Sequence, residues 1–228
     1  MLNLASCSSY NPKNPDPEMK KFISRLHYLT QDLPNCSHLE QVQIACEAGA
    51  NWIQYRCLSK SDAEMLEELH QIAAICDDWG TTLIITNHVH LVHLADIQGV
   101  HIEDMDADLT VIREQIGEDK TLGASANTYQ QIINHIKNGA DYIGCGPFGH
   151  TDTKPNDSPH WGVKGYQEAI EKLQKNQLEI PLIAVGGVQI ENVELLTATG
   201  IHGIAVCAAI NNSENPGAAY KAFHQLIF

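Results

Sequence analysis

The sequence predicts an α/β protein consisting of a single (β/α)8 TIM barrel with a short N-terminal extension. Eight short apolar runs alternate with longer amphipathic stretches, which is typical of repeated βα units around a parallel sheet. Glycine often separates an amphipathic stretch from the next apolar run, as at Gly80 and Gly200, where a left-handed residue would end a helix. No G-x-G-x-x-G motif follows the first strand, which argues against an open, doubly wound sheet.

The strands are predicted wherever a short apolar run is bounded by turn residues. In chain order they cover residues 24–29, 52–56, 82–86, 99–102, 121–124, 142–145, 181–185 and 203–206.

Helices are predicted in the stretches between the strands. The clearest covers residues 61–79, where apolar side chains recur at spacings of three and four and Ser61 with Glu64 forms a capping box. The others cover residues 39–48, 109–116, 128–137, 163–175, 190–199 and 217–227.

Composition and charge narrow the class of partner. The chain has 228 residues, 43% of them hydrophobic, and its 14 basic against 28 acidic residues give a net charge of −14. That charge repels nucleic acid and anionic membranes, although local donors can still bind a small phosphorylated molecule. No apolar run approaches the roughly 20 residues that cross a bilayer. Oligomeric state stays open, and a homo-oligomer is compatible with the sequence.

The N-terminal residues and the cysteines bear on the extent of the barrel and on the cellular location of the protein. Residues 1–18 are rich in Asn, Ser and Pro and lack periodicity, so we expect a mobile extension before the barrel, which would span residues 19–228. The alternative is that the start codon is misassigned and translation begins at Met19. Seven scattered cysteines without a C-x-x-C pair suggest neither a disulfide framework nor a structural zinc site. A cytoplasmic protein fits these features best.

Polar residues collect at the predicted strand ends, where TIM barrels carry their active sites. After the sixth strand, Thr151, Thr153 and Lys154 supply two hydroxyls and a cation that suit phosphate oxygens, although a polar turn would look the same. Gly187 after the seventh strand and Cys207-Ala208 after the eighth lie where barrels bind phosphate through backbone N–H groups.

An acidic segment and a histidine cluster are candidate metal sites. Glu103, Asp104 and Asp106 follow the fourth strand and could hold Mg²⁺ beside a diphosphate, or could form a solvated acidic loop. His88, His90 and His93 cluster around the start of the third helix. His90 and His93 are three residues apart, but no matching Cys or carboxylate pair lies nearby in sequence, so a helix surface is favoured over a transition-metal site. No Cys-His pair marks a nucleophile.

With these motifs in order, the sequence resembles the thiamine phosphate synthase (thiamine-phosphate pyrophosphorylase) family over about residues 23–227. The resemblance is carried by LHYLTQD, GANWIQYR, GVHIEDMD, LGASANT, ADYIGCGPFGHTDTK, PLIAVGGV and GIHGIAVCAAI. It implies a transferase of type EC 2.5.1.3. The enzyme would join a hydroxymethylpyrimidine diphosphate to a thiazole phosphate and release diphosphate by a dissociative substitution.

The resemblance also implies the roles of particular residues. Arg56 and Lys154 would neutralise the departing diphosphate as the catalytic cations, and Asn87 and Asp106 would hold Mg²⁺. The implied pyrimidine diphosphate site comprises Gln54, Tyr55, Arg56, Cys57, Leu58, Thr86, Ser125 and Lys154. The implied thiazole phosphate site comprises Thr151, Asp152, Thr153, Gly187, Cys207 and Ala208.

Four positions depart from the family pattern. Leu58 replaces a lysine and Asn87 an aspartate, which removes a cation and a magnesium carboxylate, while Ala208 replaces a serine and Asn127 a frequent histidine. Leu58 and Asn87 suggest an alternative, a non-catalytic binding paralogue for thiamine precursors. A thiazole tautomerase is a further alternative, which Asn127 disfavours because that reaction would use the histidine.

Overall fold

The computed structural model describes residues 21–151 and 159–228. Eight parallel strands pair in chain order, and the last pairs with the first to close a barrel, which confirms the predicted fold. The strands are β1 (Leu26–Leu29), β2 (Trp52–Tyr55), β3 (Thr82–Thr86), β4 (Gly99–Ile102), β5 (Thr121–Ala126), β6 (Tyr142–Cys145), β7 (Leu182–Ala184) and β8 (Gly203–Val206).

Helices connect the strands on the outside of the barrel. They are α1 (His38–Glu47), α2 (Asp62–Trp79), α3 (Leu91–Leu94), α4 (Leu109–Ile116), α5 (Tyr129–Lys137), α6 (Gly162–Lys175), α7 (Val193–Thr197), α8 (Ala208–Asn211) and α9 (Pro216–Ile227). A 3-10 turn, Ile190–Asn192, leads into α7.

Local sequence signals explain where several helices begin. Ser37, Ser61 and Thr128 each cap a helix with a reciprocal capping box, in which the third helical residue bonds back to the cap. The box predicted at Ser61 is therefore confirmed. Gly80 ends α2 in the left-handed conformation, with φ 64°.

Side chains alternate between the two faces of each strand, as the period of two requires. On β2, Ile53 packs outward in the main hydrophobic core against the helices, whereas Trp52 belongs to the separate apolar cluster inside the barrel. The ring of Tyr142 on β6 fills the space beside Gly123, where an added Cβ would lie 2.2 Å from it. The barrel interior is therefore filled by these side chains, and polar residues follow at the carboxyl ends of the strands.

The observed boundaries differ from the predicted ones only near element ends. β1 begins two residues later than predicted, β5 extends two residues further, and the predicted helix 190–199 divides into the 3-10 turn and α7. Two short helices, α3 and α8, fall outside the predicted helical ranges. Residues 1–18, predicted as an extension, lie outside the described residues, and no helix of the described chain is long and apolar enough to span a membrane.

Candidate active site

A cavity of about 390 Å³ lies at the carboxyl ends of the strands. Its floor is formed by side chains inside the barrel, such as His27 and Tyr142, and its rim by the loops after several strands. This volume falls in the usual range for small-molecule sites. The cavity brings together part of the predicted substrate site, namely Gln54, Arg56, Ser125, Thr151, Gly187, Cys207 and Ala208.

Other predicted substrate residues lie away from this cavity. Tyr55 alternates outward from the barrel, and its hydroxyl donates a hydrogen bond of 2.6 Å to Glu68. Thr86 is buried and accepts from the Gln54 amide at 2.9 Å, so it orients Gln54 from behind. The side chain of Leu58 is 66% exposed.

Three predicted residues after β6 lie outside the described residues: Asp152, Thr153 and Lys154.

Arg56 forms an ion pair across the mouth of the barrel. Its Nε donates to Glu103 Oε1 at 2.8 Å and its Nη2 to Oε2 at 3.5 Å, and both side chains are largely buried. Thr30 Oγ1 accepts the Arg56 backbone N–H at 3.0 Å, which holds this loop against the end of β1. The carboxylate offsets the cost of burying the guanidinium, so an arriving anion must share or replace it.

A hydrogen-bonded chain of side chains crosses the cavity floor. His101 Nδ1 lies 3.0 Å from the Tyr142 hydroxyl, and His101 Nε2 lies 3.0 Å from Ser125 Oγ. Burial raises the pKa of Tyr142, so its hydroxyl keeps its proton. This series of hydrogen bonds therefore fixes the orientation of the Ser125 hydroxyl, which lines the cavity.

His27 lies below this chain, stacked on Trp52 with ring centroids 4.4 Å apart. Burial, together with the nearby His101, lowers the pKa of His27 well below its usual value, so the ring is neutral at pH 7. No motif in the sequence assigned a role to His27, His101 or Tyr142. The available signal was the alternation of β1 and β4, which places both histidines at inward positions.

The predicted phosphate loops pack against one another on the opposite side of the cavity. The Phe148 N–H donates to Val185 O at 2.8 Å, and the Gly149 N–H donates to Gly186 O at 3.0 Å. Gly187 has φ 70°, and an added Cβ would lie 2.2 Å from His150 O. Only glycine fits this junction without moving one of the loops.

Next to these loops, Ala208 and Ala209 line the cavity in the first turn of α8, which follows β8, the neighbour of β7. N–H groups in a first helical turn have no acceptor within their helix and can bind an anion.

The predicted magnesium residues lie on neighbouring loops beside the cavity. Asn87 follows β3 in the left-handed conformation, with φ 65°, and its Oδ1 accepts the Glu103 N–H at 2.9 Å. Asp106 is exposed, and its N–H donates to Asp104 Oδ1 at 3.0 Å. Neither side chain lines the cavity, but the amide and carboxylate oxygens are hard ligands whose chemistry fits Mg²⁺.

Two other side-chain groups in the described part of the chain could hold a metal ion. One is Asp32, His38 and Cys57, and the other is Asp62, His88 and His90.

His90 and His93, the two histidines three residues apart, have different hydrogen-bond partners. His90 Nε2 lies 2.7 Å from Asp62 Oδ2, whereas His93 Nε2 lies 3.1 Å from Gln115 O. The carboxylate comes from the first turn of α2, 28 residues away in sequence. The sequence pattern did not reveal this contact because it depends on how α2 and α3 pack.

The chain is similar to known proteins over most of its length. The family described as thiamine monophosphate synthase matches residues 27–210. The chain is 34% identical over 191 residues to the thiamine-phosphate synthase of Flavobacterium johnsoniae, covering 84% of this chain and 90% of that protein. It is also 34% identical over 201 residues to the thiamine-phosphate synthase of Phocaeicola vulgatus, covering 88% of this chain and 97% of that protein.

A solved structure agrees with these sequence matches. The thiamine phosphate pyrophosphorylase from Pyrococcus furiosus superimposes with a TM-score of 0.78 and 26% identity, covering 89% of this chain and 95% of that one.

Proposed function

The chain belongs to the thiamine monophosphate synthase family, and from this membership we propose that it joins 4-amino-2-methyl-5-hydroxymethylpyrimidine diphosphate to a thiazole phosphate, giving thiamine phosphate and diphosphate. The observation that carries the proposal is the cavity, which has a guanidinium on one side and glycine-rich loops on the other. One pocket can therefore receive two phosphorylated molecules. The cytoplasm, where such small metabolites are available, is the proposed location.

The pyrimidine diphosphate is proposed to bind on the Arg56 side of the cavity. Gln54 and Ser125 are held by Thr86 and His101, so both present fixed hydrogen-bonding groups to a ligand. Arg56 can donate several N–H groups in a plane, which suits phosphate oxygens. Lys154, which lies outside the described residues, is proposed to supply a second cation.

The thiazole phosphate is proposed to bind on the opposite side. Backbone N–H groups near Gly187, Cys207 and Ala208 would receive its phosphate, with the Thr151 hydroxyl beside them. In the proposed substitution, the carbon–oxygen bond to diphosphate breaks first and the diphosphate leaves with the electron pair. The thiazole nitrogen then donates its lone pair to the pyrimidine methylene cation, forming the new carbon–nitrogen bond. Charge relief and positioning supply the catalysis.

Mg²⁺ is the proposed cofactor, held by Asn87 and Asp106. Bound there, the ion would reduce the negative charge on the leaving diphosphate. Asn87 contributes an amide oxygen without charge, so this pair should bind the ion more weakly than two carboxylates would. The Glu103 carboxylate accepts a hydrogen bond from Arg56, and the Glu103 backbone N–H donates to Asn87. Glu103 thus connects the proposed Mg²⁺ site to the proposed diphosphate site.

A binding protein without catalysis is the second candidate. It is favoured by Leu58, an exposed apolar side chain where the family pattern has a cation, and by the uncharged Asn87. Such a protein would retain the cavity and bind both ligands, but it would neutralise the diphosphate too weakly to break the bond.

Measuring diphosphate release with both substrates and Mg²⁺ tests the proposal. We expect turnover that depends on both substrates and falls steeply in Arg56→Gln and Lys154→Ala, but not in the surface control His90→Ala. A chain that starts at Met19 should retain this activity, because residues 19–228 are the proposed catalytic unit. Calorimetry that shows tight pyrimidine diphosphate binding without product would favour the binding protein instead, and equal small effects of all three substitutions would remove the assigned roles.

A further inference from the structure

Beside the cavity, three metal-ligating side chains from separate segments converge on one point. Asp32 lies in the loop after β1, His38 is the first residue of α1, and Cys57 lies two residues beyond β2. Their ligand atoms all lie within 4.8 Å of one another. We propose that Asp32, His38 and Cys57 form a site for one Zn²⁺ ion, separate from the Mg²⁺ site of the reaction.

The distances from Asp32 to the other two ligand atoms match those around a tetrahedral ion. His38 Nε2 lies 3.2 Å and Cys57 Sγ lies 3.4 Å from Asp32 Oδ1. Typical zinc–ligand bond lengths place nitrogen and oxygen about 3.3 Å apart and sulfur and oxygen about 3.5 Å apart on a tetrahedron. An ion can therefore bridge Asp32 to either neighbour with little movement, the third pair of ligand atoms lies within 4.8 Å, and water can take the fourth position because the Asp32 side chain is 30% exposed.

Surrounding hydrogen bonds orient these ligands. His38 Nδ1 lies 2.8 Å from Thr30 Oγ1, which directs Nε2 toward Asp32 and Cys57. The Leu58 N–H donates to Asp32 Oδ2 at 2.9 Å. A histidine whose second nitrogen is held in this way is the usual arrangement around protein-bound zinc.

The charges of the site also match a divalent cation. The Asp32 carboxylate accepts hydrogen bonds from the Leu58 N–H at 2.9 Å and from the Ser59 hydroxyl at 2.7 Å, and such donors favour its charged form. On binding, the Cys57 thiol would release its proton to solvent and coordinate as thiolate. One carboxylate, one thiolate and one neutral imidazole then balance Zn²⁺, which suits a site whose Cys57 and His38 are buried.

The second group of candidate ligands is a weaker competitor. Asp62 and His90 are each 57% exposed, so water competes for them, and the group has no thiolate. It provides a matched control on the same molecule.

Occupancy of the proposed site would affect the mouth of the cavity. The Thr30 hydroxyl that contacts His38 also accepts the backbone N–H of Arg56. A bound ion would therefore fix the Arg56 loop. The ion would position this loop and would take no part in the bond-breaking step. Zn²⁺ binding at this site is independent of the proposed reaction.

Titration of the metal-free full chain with Co²⁺, followed by displacement with Zn²⁺, tests the proposal. We expect one equivalent of Co²⁺ to give a thiolate-to-metal charge-transfer absorption that Zn²⁺ abolishes. Cys57→Ser should remove the absorption, and Thr30→Val, which removes the bond to His38, should weaken affinity by about 10- to 100-fold. Cys36→Ser and His90→Ala should leave the charge-transfer absorption and the Co²⁺ affinity unchanged.

Three results would overturn the proposal: no charge-transfer absorption in the unsubstituted chain, its persistence in Cys57→Ser, or its loss in His90→Ala. Circular dichroism of each variant shows whether it folds. If Cys57→Ser does not fold, His38→Gln takes its place, and wild-type Co²⁺ affinity in that variant would equally contradict the site.

Discussion

Replacing Gly187 by alanine tests whether the junction between the β6 and β7 loops forms the thiazole phosphate site. The new Cβ would lie 2.2 Å from His150 O, whereas an ordinary contact begins near 3.4 Å, so the loops must separate by about 1.2 Å. Displacements of about 1 Å in a substrate-positioning element can cost about 100-fold in rate. We therefore expect kcat/KM for the thiazole phosphate to fall by about that factor.

Gly49→Ala is the matched control for backbone strain. Gly49 also has a positive φ, 96°, but an added Cβ there would have no neighbour within 4 Å, and it lies between α1 and β2. An alanine held at positive φ costs about 1–2 kcal/mol, which corresponds to a fall in melting temperature of about 2–8 °C. Both variants should lose this stability, and only Gly187→Ala should lose activity.

Steady-state diphosphate release and thermal unfolding separate these effects. If Gly187→Ala kept kcat/KM within about threefold of the unsubstituted chain while melting like Gly49→Ala, the junction would be structural only. If both variants lost activity equally, strain and not loop position would explain the loss. Either result would refute the assigned phosphate site.

The other predictions concern charge, metal and pH. Glu103→Gln should strengthen inhibition by diphosphate roughly tenfold, because Glu103 occupies Arg56 and a charged hydrogen bond is worth about 1.5–3 kcal/mol; an unchanged inhibition constant would contradict this competition. Asn87→Asp should lower the Mg²⁺ concentration for half-maximal activity, and an unchanged titration would show that Asn87 does not hold the ion. The folded-state pKa of His27 lies below its unfolded value of about 6.5, so its contribution to stability is present above pH 6.5 and is lost as the pH falls. The free energy of unfolding should therefore decrease as the pH falls from 7 to 5. In urea unfolding, His27→Gln should reduce this slope by at most about 1.4 kcal/mol per pH unit. An equal slope in both proteins would mean that another group titrates.

The barrel could be predicted from the sequence because each of its units carries its own local signals. Four strands, β3, β4, β6 and β8, have the predicted bounds, since turn residues flank short apolar runs there. The errors occur where tertiary contacts decide the boundary. β5 continues through Ser125 and Ala126 because β6 supplies pairing partners at Gly144 and Cys145, which no local propensity encodes.

The site was harder to predict because motif membership does not specify side-chain direction. The resemblance assigns the whole run from Gln54 to Leu58 to the pyrimidine diphosphate site, yet alternation turns Tyr55 outward while Gln54 and Arg56 face the cavity. Strict use of the period of two would have excluded Tyr55. The partner of Arg56 was not predictable in this way, since Glu103 lies 47 residues away and meets it only when the barrel closes.

The Arg56–Glu103 pair also explains how an acidic chain can hold an anionic substrate. A net charge of −14 repels phosphates at long range, but at physiological ionic strength that field is screened beyond about 8 Å. Binding therefore depends on donors at contact distance, and Glu103 keeps the buried guanidinium paired while the site is empty. Glu103 also donates its backbone N–H to Asn87. Movement of the Glu103 carboxylate toward or away from Arg56 would therefore shift the loop that is proposed to hold Mg²⁺. Diphosphate and metal binding should consequently be coupled through this one residue, and by linkage each should tighten or weaken the other by the same factor.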